Sequence, residues 1–119
     1  MTPAQAVLAA AEHPEGVTGV FRFEIRRTDH QDGLLFLDSE WDYRDQRCLA
    51  LEVPPLVEQA LKRKLGTDSI ISLVGKTVRV SGTAKRVTVW FYVNDVRTNK
   101  YYYQTHVSVR DLSQVEILP

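Results

Sequence analysis

Apolar and polar side chains alternate strictly along Val78–Ala84. Val78, Val80, Gly82 and Ala84 fall on one side, and Arg79, Ser81 and Thr83 on the other. A period of two is that of a strand half-buried against a core. The same period runs through Val17–Arg27, where Val17, Phe21, Phe23 and Ile25 point in and Val20, Arg22, Glu24 and Arg26 point out. Leu34–Leu37 reads as a short second strand. Cys48–Val53 reads as a third, with Leu49, Leu51 and Val53 on the core side and Cys48 turned outward. Between these strands, Thr28–Gly33 is a polar loop ending in Asp-Gly, a hairpin signal, and Asp38–Arg47 is a charged loop. Beyond Ala84 the inward phase changes to Val87, Val89, Phe91 and Val93, which predicts a bulge near Lys85-Arg86. Asn94–Lys100 follows as a polar loop. Tyr101–Arg110 is then the partner strand, with Tyr103, Thr105, Val107 and Val109 inward, and Asp111–Leu118 is a short extended ending.

Two stretches carry helical spacing. Thr2 and Pro3 open a short N-terminal helix over Ala4–Glu12, which Pro14 and Gly16 end. Pro54-Pro55 breaks the third strand and starts a second helix. Its apolar face is Leu56, Val57, Ala60, Leu61 and Leu65, and Gly66 is its stop. Lys62, Arg63 and Lys64 complement the dipole in its last turn.

The order is strand, strand, strand, helix, strand, strand. It resembles the oligonucleotide/oligosaccharide-binding (OB) fold, a five-stranded Greek-key barrel. Two phrases carry the resemblance further. Leu73–Gly82, LVGKTVRVSG, looks like the "hydrophobic, Gly-Lys, strand, Gly" opening of the fourth strand in bacterial nucleic-acid-binding OB domains. Val109–Leu118, VRDLSQVEIL, looks like their "Asp-x-x-Gln-hydrophobic" ending. The phrase Phe36–Glu40 followed by Asp42–Asp45 is similar to a loop in uncharacterised bacterial OB-like proteins. The resemblance implies one mostly-β domain over 1–119: an N-terminal helix over 1–15 and a barrel over 16–118 with a helix between its third and fourth strands.

Composition fits this picture without sharpening it. At 44% hydrophobic and 25% charged, the chain is that of an ordinary globular domain large enough to bury a core. A lone Cys48 excludes an internal disulfide and fits a reducing compartment. No apolar run reaches membrane-spanning length, and the opening MTPAQAVLAAAEH lacks the basic start of a secretory signal. The expected location is the cytoplasm, with no membrane partner.

Charge changes the picture more. Residues 1–60 hold five Lys/Arg and eleven Asp/Glu, whereas residues 61–110 hold ten Lys/Arg and two Asp. Such asymmetry points to nucleic acid, unless the fold interleaves the two halves and mixes the charges. Six of the eleven aromatic residues, Trp90–Tyr92 and Tyr101–Tyr103, flank a single loop. In an OB barrel that hairpin joins the last two strands and grips ligand. Trp90, Tyr92 and Tyr102 are the candidates to stack on bases, with Arg97 and Lys100 beside them for phosphates. The remaining rings read as cross-strand pairs that stabilise the hairpin. Trp41 and Tyr43 join the candidates from the charged loop. Arg22, Arg26, Lys85 and Arg86 are outward cations of the kind a backbone-tracking groove needs, or simply a solvated face.

Other chemistry is poorly supported. Asp38, Glu40 and Asp42 alternate as in a calcium loop, but Tyr43 stands where the Gly belongs and Leu49 where the closing Glu belongs. His13, His30 and His106 lack metal-ligand spacing, and no phosphate loop, Ser elbow or HExxH occurs. The expected protein is therefore not an enzyme and takes no cofactor or metal. It is a binding module for single-stranded DNA or RNA. The alternative is a protein-interaction or assembly module, with a protein partner or as a homo-oligomer, using the aromatic hairpin and the charge split. A small-ligand pocket at the barrel mouth is a third reading.

Overall fold

Thr2 caps the first helix, α1 (Pro3–Glu12), in the computed structural model, which describes residues 1–119. Its hydroxyl accepts from the Gln5 backbone N–H, and the Gln5 side chain accepts from the Thr2 N–H. That reciprocal pair satisfies two donors the helix leaves free. Ala6 and Ala10 are the buried side chains of α1. The chain leaves the helix through Gly16 at φ 99°, where a Cβ would stand 2.5 Å from Thr83 Cγ2. Gly16→Ala is therefore expected to cost about 1–3 kcal/mol. A lowered urea midpoint checks this; an unchanged one would show that the turn relaxes freely.

Seven strands follow: β1 (Val17–Glu24), β2 (Arg27–Gln31), β3 (Leu34–Asp38), β4 (Leu49–Val53), β5 (Thr77–Val93), β6 (Val96–Ser108) and β7 (Val115–Leu118). The second helix, α2 (Pro55–Leu65), and a 3-10 turn, Ile70–Leu73, lie between β4 and β5. Hydrogen bonding sets the strands in the order β1-β5-β6-β4-β3-β2, with β7 also on β5. The β4–β6 pair is parallel and the others antiparallel. No helix is long and apolar enough to cross a membrane.

The mostly-β class agrees with the sequence, while the strand count is seven and the hydrogen-bonded path is open at β1 and β2. Those two end strands are consecutive in the chain. Only Ile25 and Arg26 separate them, and there the backbone changes partner. The Ile25 N–H donates to Lys76 O at 2.8 Å, and the Arg26 N–H donates to Asp38 O at 2.9 Å. The long first strand read from the alternation is thus divided between β5 and β3.

The core lies on the inner face. Leu37 pairs with Leu51, Leu51 with Val107, and Val107 with Ala84, so four fully buried side chains form one row across four strands. Phe21, Phe23 and Val80 join the same cluster of 19 buried residues, as the alternation predicts.

Several local expectations are corrected. Thr28–Gln31 is not a loop but most of β2; only Asp32 and Gly33 turn, at φ 54° and 80°. Likewise Val96–Lys100 belongs to β6, and only Asn94 and Asp95 turn, at φ 51° and 62°. Apart from Val96 both segments are polar on both faces, so side-chain periodicity could not mark them; ladder hydrogen bonds make them strands. The β5–β6 register is unbroken from Ala84↔Val107 to Trp90↔Tyr101 and shifts only between Trp90 and Tyr92. No bulge sits at Lys85-Arg86. The change of apolar phase has another cause: past Arg86 the ribbon runs beyond the core, and its apolar side chains follow the outer face. Cys48 keeps its outward phase yet is buried, because it lies in the lining of a groove on that face. In α2, Val57 and Leu61 are buried, whereas Leu56 is 80% exposed and Leu65 is at the margin. The buried Glu58 ties the helix to β2 through His30 Nε2 at 3.0 Å and pairs within the helix with Lys62 Nζ at 3.3 Å.

Candidate binding groove

Strand register brings Arg27, Asp38, Ala50, His106 and Lys85 into one row across five strands, on the face opposite the core. Large side chains flank a methyl group, so the row sinks at Ala50. A groove of about 370 Å³ lies there. Phe36 and Tyr43 line it from β3 and the loop after it, and Val89, Phe91 and Tyr102 from the β5–β6 ribbon. The Phe91 and Tyr102 rings are 5.3 Å apart, and Phe36 lies 5.6 Å from the His106 ring.

A polar chain runs along β6 inside the groove. His106 Nε2 is 2.6 Å from Gln104 Oε1, and Gln104 Nε2 donates to Tyr102 Oη at 3.0 Å. Burial lowers the pKa of His106, so at neutral pH the ring is neutral and its one N–H is the Nε2 donor. Burial raises the pKa of Tyr102, which keeps the phenol protonated. Because Tyr102 Oη already accepts from Gln104, its own proton is free to donate into the groove.

Asp38 is the groove's unusual group. Its side chain is 3% exposed, and its nearest cation, Arg27 Nη1, stands 3.9 Å away, beyond hydrogen-bond reach. Burial pushes its pKa up to about 6, opposed by the Arg27 charge. Neighbouring Cys48 is pushed up to about 11, again mainly by burial, and stays a thiol. The nearby loop is electrically self-contained. The Arg44 backbone N–H, 2.9 Å from Asp42 Oδ1, and the Arg47 guanidinium, 2.9 Å from Asp45 Oδ2, hold the two carboxyls below their ordinary range.

The structure gathers some of the sequence candidates and scatters others. Tyr43, Tyr92 and Tyr102 line the groove, and Trp90 borders it while its ring stacks with Arg97 and Tyr101. Trp41 is in the same loop as Tyr43 but stands 69% exposed outside the lining. On the ribbon's other face, Arg86 covers the Tyr103 ring at 4.0 Å and Arg97 covers Trp90 at 4.1 Å. Tyr101 joins these two rings, at 5.4 Å from Tyr103 and 5.1 Å from Trp90. Arg86 and Arg97 are thereby committed to a stacked ladder. Arg26 lies between Glu24 and Glu40, at 3.6 and 3.9 Å. Arg22 is opposite Arg79 in the β1–β5 register, and Lys100 is exposed on β6 near the ribbon tip. Lys85 ends the groove row.

Asp38, Phe36, His106 and Arg44 line the groove without having been singled out as ligand contacts. Alternation along Tyr101–Arg110 puts His106 outward, whereas the short apolar run Leu34–Leu37 gives Phe36 no phase, and neither shows which strands lie side by side. No protein-family model matches the chain, and no curated protein matches it. The groove itself therefore carries the functional argument. It offers flat apolar walls, a free phenol donor and a carboxylate with no protein donor within hydrogen-bond distance, which suits a planar ligand with polar edges.

Proposed function

We propose that the protein is a non-catalytic OB-type module whose outer groove takes a single strand of nucleic acid. Treating β1 and β2 as halves of one strand, with β7 as an addition, leaves five strands in OB order with α2 between the third and fourth. The groove then falls on the second and third strands, between the first turn and the last hairpin, where this fold binds oligonucleotides. The observation that carries the reading is the set of rings facing one trough from both sides, Phe36 and Tyr43 against Phe91 and Tyr102. Bases stack on such rings irrespective of sequence. Lys100, exposed on the ribbon, is placed for phosphates, and the Cys48 thiol, buried and protonated, is no nucleophile.

Fluorescence anisotropy with labelled oligo-dT and oligo-rU at low salt tests this. Tyr102→Ala should weaken binding by about 1–3 kcal/mol and leave the slope of log affinity against log salt unchanged. Absence of binding to both strands at low salt defeats the reading. One observation favours an assembly module instead: Tyr92, Val93 and Val96 form an exposed apolar ribbon tip. Light scattering that finds a dimer in wild type and a monomer in Val93→Asp would support that second reading.

A further inference from the structure

We infer that the groove selects guanine, through a paired hydrogen bond from the base's N1–H and N2 amino group to the Asp38 carboxylate. The inference rests on the single-strand reading above. Its starting point is that Asp38 lines the groove, is almost wholly buried and accepts no hydrogen bond from the protein. No side-chain oxygen is both fully buried and without a partner, so the Asp38 carboxylate oxygens open onto the groove, where a ligand carrying two donors can replace solvent on them. Ala50, next to Asp38 in the cross-strand row, offers only a methyl group and leaves room above it. Phe36, two residues back on the same face of β3, gives a ring for the base plane.

The chemistry of the carboxylate chooses the base. At neutral pH Asp38 is mostly ionised, so it presents two acceptors and no donor. Guanine places two donors side by side, N1–H and the N2 amino group. Adenine sets the acceptor N1 next to its amino group, and cytosine sets the acceptor N3 next to its own. Thymine and uracil hold one N–H between two keto oxygens. A carboxylate oxygen repels each of those neighbouring acceptors.

The test uses labelled dT oligomers of one length carrying a single central dG, dA, dC or deoxyinosine. The dG strand should bind about tenfold or more tightly than all-dT. Deoxyinosine, which lacks the N2 amino group, should lose most of that gain. In Asp38→Asn the strands should converge to within about twofold, while thermal unfolding shows the variant is folded. If all-dT binds and dG binds no better, the inference is overturned and the single-strand reading stands. The same holds if the dG preference survives Asp38→Asn. If no strand binds, both are overturned.

Discussion

Leu51→Ala should lower the unfolding free energy by about 2–5 kcal/mol. Leu51 is 0% exposed and sits in β4, between Leu37 on β3 and Val107 on β6. Those neighbours are themselves fully buried and fixed by the ladder, so they cannot collapse far into the space left behind. The loss combines the transfer free energy of the removed methyl groups with a cavity term. It is a large share of the roughly 5–15 kcal/mol that holds a domain of this kind together. Urea unfolding reads it directly. Leu56→Ala is the matching control, because Leu56 is mostly exposed on α2 despite its place on the helical apolar face. It should change stability by less than about 0.5 kcal/mol. Equal midpoints for the two variants would mean that β4 does not present Leu51 to the core.

Asp38→Asn should have the opposite sign and raise stability at pH 7 by about 1–3 kcal/mol. The native pKa of Asp38 is about 6, against an ordinary 3.8, because burial disfavours the charged form. A raised carboxyl pKa means that the folded protein binds more protons than the unfolded chain between those two values. Stability then falls as pH rises through that window and levels off above it. The difference corresponds to about 3 kcal/mol at neutral pH, at 1.36 kcal/mol per pH unit. Asparagine removes the charge but leaves a buried amide to satisfy, which returns part of the gain. Denaturation at pH 4 and pH 7 checks the sign. The advantage of the variant should be present at pH 7 and nearly absent at pH 4. A variant less stable than wild type at pH 7 would show that Arg27 stabilises the carboxylate more than burial destabilises it.

The carboxylate proposed to recognise the ligand is therefore a destabilising group in the free protein. Sites of this kind conflict with folding locally, and the rest of the fold tolerates the conflict. Nothing in the phrase Phe36–Glu40 marks Asp38 as special, since an acidic residue at the end of a strand is common. Its character comes from Cys48 and Ala50 beside it and Arg27 across from it. Those residues are brought together only by register.

The sequence by itself determined the inner face. Strict alternation around Phe21, Phe23, Val78, Val80, Leu49 and Leu51 marks the buried side of the strands, because one residue of slip would expose the whole set. It also located both helices, since Thr2, Pro3, Pro55 and Gly66 act on the backbone locally. The polar strands β2 and the distal half of β6 were hidden, because long-range hydrogen bonds make them and side-chain pattern does not. The groove was hidden for a related reason. The outer face does carry an apolar period at Val87, Val89, Phe91 and Val93, but that period does not say which strands lie beside it, so the meeting of Phe36, Asp38, His106 and Tyr102 depends on the parallel pairing of β4 with β6. That pairing joins segments more than 50 residues apart, Leu49–Glu52 with Thr105–Ser108. Local preferences end within a few residues, and only tertiary structure decides what lies next to what across such a distance.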